Sequence, residues 1–205
     1  MRTVGHVQVR ALTGVCSAIG GVAWVAACFV HNSLPQGCIG DQCAHTPMRG
    51  SSPVASTLFV VAGLMLALSG IGLLVLAHQR RRLGRLGALA GTAAALGLLL
   101  LAAAALVSAV DNDWNGMPGL VIPGIVLLAV GLVLVAAVVL RARVVTTWMG
   151  ALLLGTAVLL PFANEQTSRI LLAVPFGVAW LTLGLALLRD QMREPRHPSA
   201  IATGE

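Results

Sequence analysis

The sequence predicts an all-α integral membrane protein, a bundle of six transmembrane helices with both termini in the cytoplasm. Three observations predict this fold class: 58% of the 205 residues are hydrophobic, only 10% are charged, and six apolar runs are long enough to cross a bilayer. Soluble domains carry about 25% charged residues, so this chain lacks the polar surface that a soluble fold needs. The runs do not alternate as barrel strands do, so the expected spans are helices.

Each apolar run is close to the roughly 20 residues that a helix needs to cross a hydrocarbon core. The predicted spans are 12–30, 54–77, 86–110, 119–140, 144–163 and 170–188. They make residues 1–188 one transmembrane domain, whose long connection, residues 31–53, is an outer loop. Residues 189–205 are expected to form a disordered cytoplasmic tail. Because the cytoplasmic connections are short, the second and third helices, and the fourth and fifth, are predicted to pair as hairpins.

The arginines determine the predicted orientation, because basic residues are enriched in cytoplasmic connections. All 13 basic residues are arginine, a bias that indicates a GC-rich, bacterial genome. Eleven flank the predicted cytoplasmic ends of the spans; six of these fill two connections and carry the topology signal, namely Arg80, Arg81, Arg82, Arg85, Arg141 and Arg143. Only Arg49 and Arg169 fall in outer connections. We therefore expect a multi-pass protein of the plasma membrane.

Small residues and prolines predict how the helices pack. Gly87 and Gly91 match the GxxxG pattern that lets two helices approach closely in lipid, although a chain with 23 glycines produces such matches by chance. Pro175 is the predicted kink of the last span, whereas Pro123 and Pro161 are expected in terminal turns, where a missing donor costs little. Kinks at these prolines would open a small outward cavity.

The spans offer few polar groups for transport. No ionisable residue falls near the middle of a span, and ion-coupled carriers usually place such groups there, so the sequence argues against a coupled transporter. A pore lined by hydroxyls remains an alternative, although such hydroxyls more often bond to carbonyls of their own helix. The hydroxyls concerned are Ser69, Thr92, Ser108, Thr156 and Thr182.

The most specific local pattern lies in the outer loop and consists of His31, Cys38, Cys43 and His45. In the first interpretation Cys38 and Cys43 form a disulfide that staples the loop on the oxidising side of the membrane. In the second, all four side chains ligate zinc or copper, although the spacing matches no standard finger. A third makes the cysteines a redox-active pair, and a fourth leaves them as free thiols.

Cys28 carries a separate alternative. Val25-Ala26-Ala27-Cys28 resembles the lipobox at which bacterial lipoprotein signal peptides are cut and lipidated. The mature chain would then begin at Cys28 and keep five spans. Otherwise Cys28, like Cys16, acts as a small apolar residue in the first span.

No catalytic motif occurs in the sequence, which predicts no enzyme activity, no cofactor and no nucleic-acid partner. The leading hypothesis is a non-enzymatic accessory or scaffold subunit whose disulfide-stapled outer loop contacts another membrane protein or a second copy of the chain, with membrane lipid as the surrounding partner. One alternative is a small uncoupled permease or lipid-interacting carrier. Another is a protein that handles thiols or metal at the outer face.

Overall fold

The computed structural model describes residues 2–38, 45, 47, 49–50, 52–80, 84–110 and 116–193. Within these ranges the chain is helical and contains no strand. Its α-helices are α1 (Arg2–Asn32), α2 (Pro53–Gln79), α3 (Gly84–Val110), α4 (Met117–Arg141), α5 (Thr147–Leu159) and α6 (Val174–Arg193). Two 3-10 segments, Leu160–Phe162 and Ser168–Ala173, connect α5 to α6. The predicted tail beyond Arg193 lies outside the described residues.

In the described ranges, five helical segments are long and apolar enough to cross a membrane, so the chain is a multi-pass membrane protein. The segments are Val7–Asn32, Pro53–Gln79, Gly84–Ala104, Pro118–Arg141 and Ser168–Met192. The predicted span 144–163 is shorter than expected: 13 α-helical residues and a three-residue 3-10 turn extend about 26 Å, against a hydrocarbon core of roughly 30 Å. It is shorter because residues 144–146 belong to the preceding turn and Pro161 follows the last α-helical turn.

Helix α1 is central to one half of the bundle, where it packs against both α2 and α6. In the other half α3 packs mainly on α4, and α5 joins α4 to α6. The fourth and fifth helices therefore pair as predicted. The predicted hairpin of the second and third helices is wrong, since α2 and α3 meet only marginally. The physical reason is that Ala94 and Gly97 of α3 face α4, where they allow a close approach of the two backbones.

Glycines spaced seven positions apart let α1 and α6 cross at close range. A Cβ added at Gly21 would lie 2.5 Å from the carbonyl oxygen of Gly177, and one at Gly184 would lie 2.6 Å from that of Gly14. Both distances are shorter than real Cβ contacts. Because Gly14 faces Gly184 while Gly21 faces Gly177, the two helices run antiparallel.

The close approach of α3 to α4 also depends on glycine. A Cβ at Gly97 would lie 2.5 Å from the backbone nitrogen of Leu128, and one at Gly131 would lie 2.5 Å from that of Ala94. At the predicted contact residue Gly91 the only neighbour within 4 Å is Leu74, at an ordinary 3.7 Å. Its GxxxG partner Gly87 is buried. The tightest part of the crossing is thus at Ala94 and Gly97, about one turn beyond Gly91.

Two of the three prolines take positions different from those expected, whereas Pro161 lies in the 3-10 turn at the end of α5, as predicted. Pro123 is the seventh residue of α4 and lies inside the helix, because α4 begins at Met117. Pro175, the predicted kink, is the second residue of α6, and α6 directly follows a 3-10 segment. A proline in a first turn removes an N–H that has no intrahelical partner. Pro123 is therefore the proline that removes a hydrogen-bond donor from inside a helix, and the kink at Pro175 stays a prediction.

The two ends of the bundle differ in their contacts. At one end, called the Arg80 end, Arg10 Nη2 lies 2.8 Å from Asp190 Oδ2, and Arg80 Nη1 donates to the carbonyl of Arg143 at 2.6 Å. The start of α1 and the end of α6 thus meet there. Arg85, Arg141 and Arg143 are exposed at the neighbouring helix ends. Arg81 and Arg82 lie outside the described residues.

Candidate functional site

The opposite end of the bundle is organised by Arg49 of the outer loop and is called the Arg49 end. The Arg49 residue is only 8% exposed. Its guanidinium donates to four backbone carbonyls, those of Pro35 (2.9 Å), Leu34 (3.2 Å), Glu165 (2.9 Å) and Thr167 (3.3 Å). Two of these acceptors follow α1 and two belong to the α5–α6 connection. The side chain therefore clamps the outer loop onto that connection.

Gln166 completes the clamp from the other side. Its side-chain oxygen Oε1 accepts a hydrogen bond of 2.7 Å from the Arg49 backbone N–H, and its carbonyl accepts one of 2.8 Å from the Gly37 N–H. A Cβ at Gly37 would collide with both the Arg49 backbone and Gln166 Oε1. Glycine is needed at position 37 because the two segments approach each other so closely.

A layer of aromatic side chains lies beneath the clamp. His31 Nε2 is 3.1 Å from the carbonyl of Glu165, and the His31 ring contacts that of Phe59 at a centroid distance of 6.2 Å. Phe59 meets Trp24 edge to face at 5.5 Å, and Trp24 Nε1 donates to the carbonyl of Ala173 at 2.9 Å. These contacts join α1, α2 and the second 3-10 segment under the outer loop.

The electrostatics of the clamp are unusual for a buried arginine. Among the described residues no carboxylate lies within ion-pair distance of Arg49. The Glu165 residue is exposed, and only its backbone carbonyl contacts the guanidinium. Carbonyl dipoles thus stabilise the charge in place of an ion pair, and hydrogen bonds to charged groups contribute about 1.5–3 kcal/mol each. The charge serves to hold backbone segments together.

The predicted disulfide falls partly on residues that the structure leaves out. Cys38 directly follows the anchored Gly37 and is 3% exposed. Cys43 lies outside the described residues, so the pairing of Cys38 with Cys43 stays a prediction. Cys16 and Cys28 are buried free thiols, and Cys28 packs against Ile170 and Ala173 of the second 3-10 segment.

The predicted four-ligand metal set is likewise tested only in its described members. His31 Nε2 must carry hydrogen to bond a carbonyl, which leaves only Nδ1 of a neutral ring as a ligand atom. His45 is exposed. In the part of the chain that the structure describes, no group of three or more histidine, cysteine, aspartate or glutamate residues is placed to hold a metal.

The described hydroxyls among the predicted pore candidates all donate hydrogen bonds to backbone carbonyls. The hydroxyls of Thr92, Thr156 and Thr182 donate to carbonyls of their own helices, as the alternative interpretation expected. Ser69 instead donates across helices to the carbonyl of Thr13 at 3.2 Å. The side chain of Ser108 is outside the described part.

An open groove lies beside the clamp, between the end of α5 and the second 3-10 segment. Its volume is about 450 Å³, and its lining residues are Pro161, Phe162, Ala163, Asn164, Arg169 and Leu172. Of the three prolines for which an outward cavity was predicted, Pro161 alone lines this groove.

No family model, curated protein or solved structure matches this chain. Its function is therefore argued from the contacts of the Arg49 end and of the groove.

Two important residues of these sites were missed by the sequence interpretation. Arg49 and Gln166 carry no motif, and they lie 117 positions apart. The available signal was the position of Arg49 itself, because it is one of only two arginines in the connections predicted to be outer. Most arginines of the chain flank the predicted cytoplasmic ends of the spans, so an arginine on the other side does not contribute to the topology signal. Arg49 instead binds backbone carbonyls.

Proposed function

We propose that this chain is a non-enzymatic accessory or scaffold subunit of the plasma membrane that presents its outer loop to a partner. The Arg49 clamp is the observation that supports this proposal most. A connection that only joins two helices needs no buried guanidinium with four carbonyl acceptors. A recognition surface does need its backbone held in one conformation, because ordering it on binding would cost affinity.

The proposal includes six spans with both termini in the cytoplasm. Support comes from α5, which starts four residues after Arg143, at the Arg80 end, and continues through Phe162 to the connection bound by Arg49. Its apolar length of about 26 Å is short, but local bilayer thinning accommodates such a mismatch. The arginine distribution then favours the Arg80 end as cytoplasmic.

A disulfide between Cys38 and Cys43 belongs to the same proposal. Gly37 is fixed to Gln166 by a backbone hydrogen bond of 2.8 Å, so the next residue, Cys38, has a defined position. A bond to Cys43 would close the following segment into a small loop. The loop would then have two restraints, the clamp at its two ends and the disulfide between them.

The test is native mass spectrometry of the full chain released from its own membrane at native abundance. The scaffold proposal predicts a stoichiometric partner, either another membrane protein or a second copy. Arg49→Gln and the double variant Cys38→Ser/Cys43→Ser should each release the partner, whereas Arg85→Gln, an exposed arginine at the other end, should retain it. A wild-type chain found alone would refute the proposal.

An uncoupled permease or lipid-interacting carrier is the second candidate, favoured by the open groove beside Pro161. It predicts solute or lipid flux in proteoliposomes that persists after all ion gradients are collapsed. Flux equal to that of protein-free vesicles would rule it out.

A further inference from the structure

The groove at the Arg49 end combines a cation with exposed apolar side chains. Its volume of about 450 Å³ lies within the range of small-molecule sites. Arg169 and Asn164 contribute its polar groups, and Phe162 and Leu172 its apolar ones. Such a mixed lining fits an amphipathic ligand better than a purely polar or a purely apolar one.

The Arg169 side chain is available to a ligand. The residue is exposed, and among the described residues its guanidinium has no hydrogen-bond or ion-pair partner. The Arg169 backbone N–H donates to Thr167 Oγ1 at 3.3 Å. The backbone of Arg169 is therefore anchored, while its guanidinium remains available to bind a ligand. An arginine fork matches the oxygens of a phosphate group in geometry and in charge.

Asn164 adds an oriented donor. Its Oδ1 accepts a hydrogen bond of 2.8 Å from the backbone N–H of Gln166. This contact fixes which end of the amide is the oxygen, and the Nδ2 group keeps its two N–H donors for another acceptor. Both polar groups of the groove therefore offer hydrogen to an anion.

The apolar side chains place the groove at the membrane boundary. Phe162 is 64% exposed and Leu172 is 41% exposed. Phe162 ends the apolar segment Thr147–Phe162, and Leu172 lies near the start of the span Ser168–Met192. A free phosphate ion would gain nothing from these side chains, whereas an acyl chain would cover them.

We propose that the groove binds an anionic phospholipid of the adjacent leaflet, with its phosphate diester on Arg169 and Asn164 and an acyl chain along Phe162 and Leu172. The proposal depends on membrane insertion and is independent of the scaffold function. The single positive charge of the Arg169 guanidinium matches the net charge of a phospholipid whose headgroup carries a phosphate diester and no cation, and this complementarity selects an anionic phospholipid.

The test uses the full chain in nanodiscs that contain phosphatidylglycerol with a photoactivatable group near the headgroup. The fraction of crosslinked lipid is mapped to pepsin fragments by mass spectrometry. We expect labelling within residues 160–173, and about ten-fold less labelling there in Arg169→Gln, the loss typical of one charge-assisted hydrogen bond. Arg169→Lys should keep most of the label, and Arg85→Gln should leave this fragment unchanged.

Three results would overturn the proposal. The first is equal labelling of residues 160–173 in Arg169→Gln and wild type, which would mean that lipid adsorbs on the apolar side chains alone. The second is equal loss in Arg85→Gln. The third is complete displacement of the label by excess inorganic phosphate, which would assign the groove to the free ion. Because the Arg169 side chain has no described partner, folding should survive its replacement, and thermal melting of each variant checks this.

Discussion

Arg49 and Gln166 are joined by a 2.7 Å hydrogen bond from the Arg49 backbone N–H to Gln166 Oε1, across 117 positions of the chain. The Gln166 carbonyl binds the N–H of Gly37 in turn. The Gln166 side chain thus binds the end of the outer loop, at Arg49, while the Gln166 backbone binds the beginning of the loop, at Gly37. The clamp therefore binds both ends of the outer loop to the α5–α6 connection.

Replacing Arg49 tests the energetic importance of the clamp. Arg49→Gln removes the charge and the guanidinium donors that four backbone carbonyls accept from, so we expect a loss of about 3 kcal/mol in the free energy of unfolding. Arg49→Lys keeps the charge but lacks the planar fork, and about half of that loss is expected. The measurement is reversible unfolding in detergent micelles.

Arg169→Gln is the matched control for this experiment, because Arg169 is the other outer arginine and is exposed. Its effect should stay within about 0.5 kcal/mol. Similar losses for the two arginines would contradict the clamp. Hydrogen exchange should also rise in residues 34–37 and 164–167 of Arg49→Gln alone.

The glycine contacts between α1 and α6 predict a large effect of one added methyl group. Gly21→Ala should destabilise the protein by about 1–3 kcal/mol, because its Cβ would lie 2.5 Å from the Gly177 carbonyl. Gly63→Ala is the control, since no atom lies within 4 Å of its added Cβ and alanine favours a helix. Melting temperatures in the same detergent measure both effects. Equal melting temperatures for the two variants would refute the close crossing.

The Ser17 hydroxyl connects α1 to α6 by donating to the carbonyl of Trp180 at 2.6 Å. Interhelical hydrogen bonds in membrane proteins contribute about 0.6 kcal/mol on average and up to about 1.7. Because Ser17 is fully buried, we expect Ser17→Ala to cost about 1 kcal/mol. Thr182→Ala, which removes only a bond within α6, should cost less. The comparison requires unfolding measurements on both variants, and the opposite order would disprove it.

The predicted disulfide is tested by alkylation of the denatured chain before and after reduction. Without reduction, only the free thiols Cys16 and Cys28 should be alkylated, and reduction should expose Cys38 and Cys43. The intact mass of the alkylated chain also tests the lipobox alternative. In that alternative the chain is cut before Cys28, which shortens it, and Cys28 carries lipid, which adds mass. Four alkylated cysteines without reduction would exclude the disulfide.

Hydropathy predicted the long helices well, because a bilayer leaves an apolar segment of about 20 residues few alternatives to a helix. It was less accurate for residues 144–163, where Pro161 and the turn before Thr147 shorten the helix. Hydropathy depends only on the residues within one segment, so its errors affect the ends of single helices. It identifies which segments enter the membrane but not which of them touch.

The packing of α1 on α6, the packing of α3 on α4 and the Arg49 clamp could not be predicted, because each depends on pairs of residues that are distant in the sequence. Gly91 looked suitable for a close crossing, yet Gly97 meets the backbone of Leu128. Whether a glycine lies in an interface depends on the residue opposite it. The role of Arg49 likewise depends on its contact with Gln166, and a single sequence does not indicate which distant residues are in contact.

The pairing of α1 with α6 affects how the protein is made. Helix α1 leaves the ribosome first and α6 last, so Gly14, Ser17 and Gly21 have no partner surface during most of synthesis. Their contact face must stay in lipid, or against the insertion machinery, until the final helix arrives. The bundle therefore closes only after α6 has been made, and a chain truncated before Val174 keeps this face uncovered.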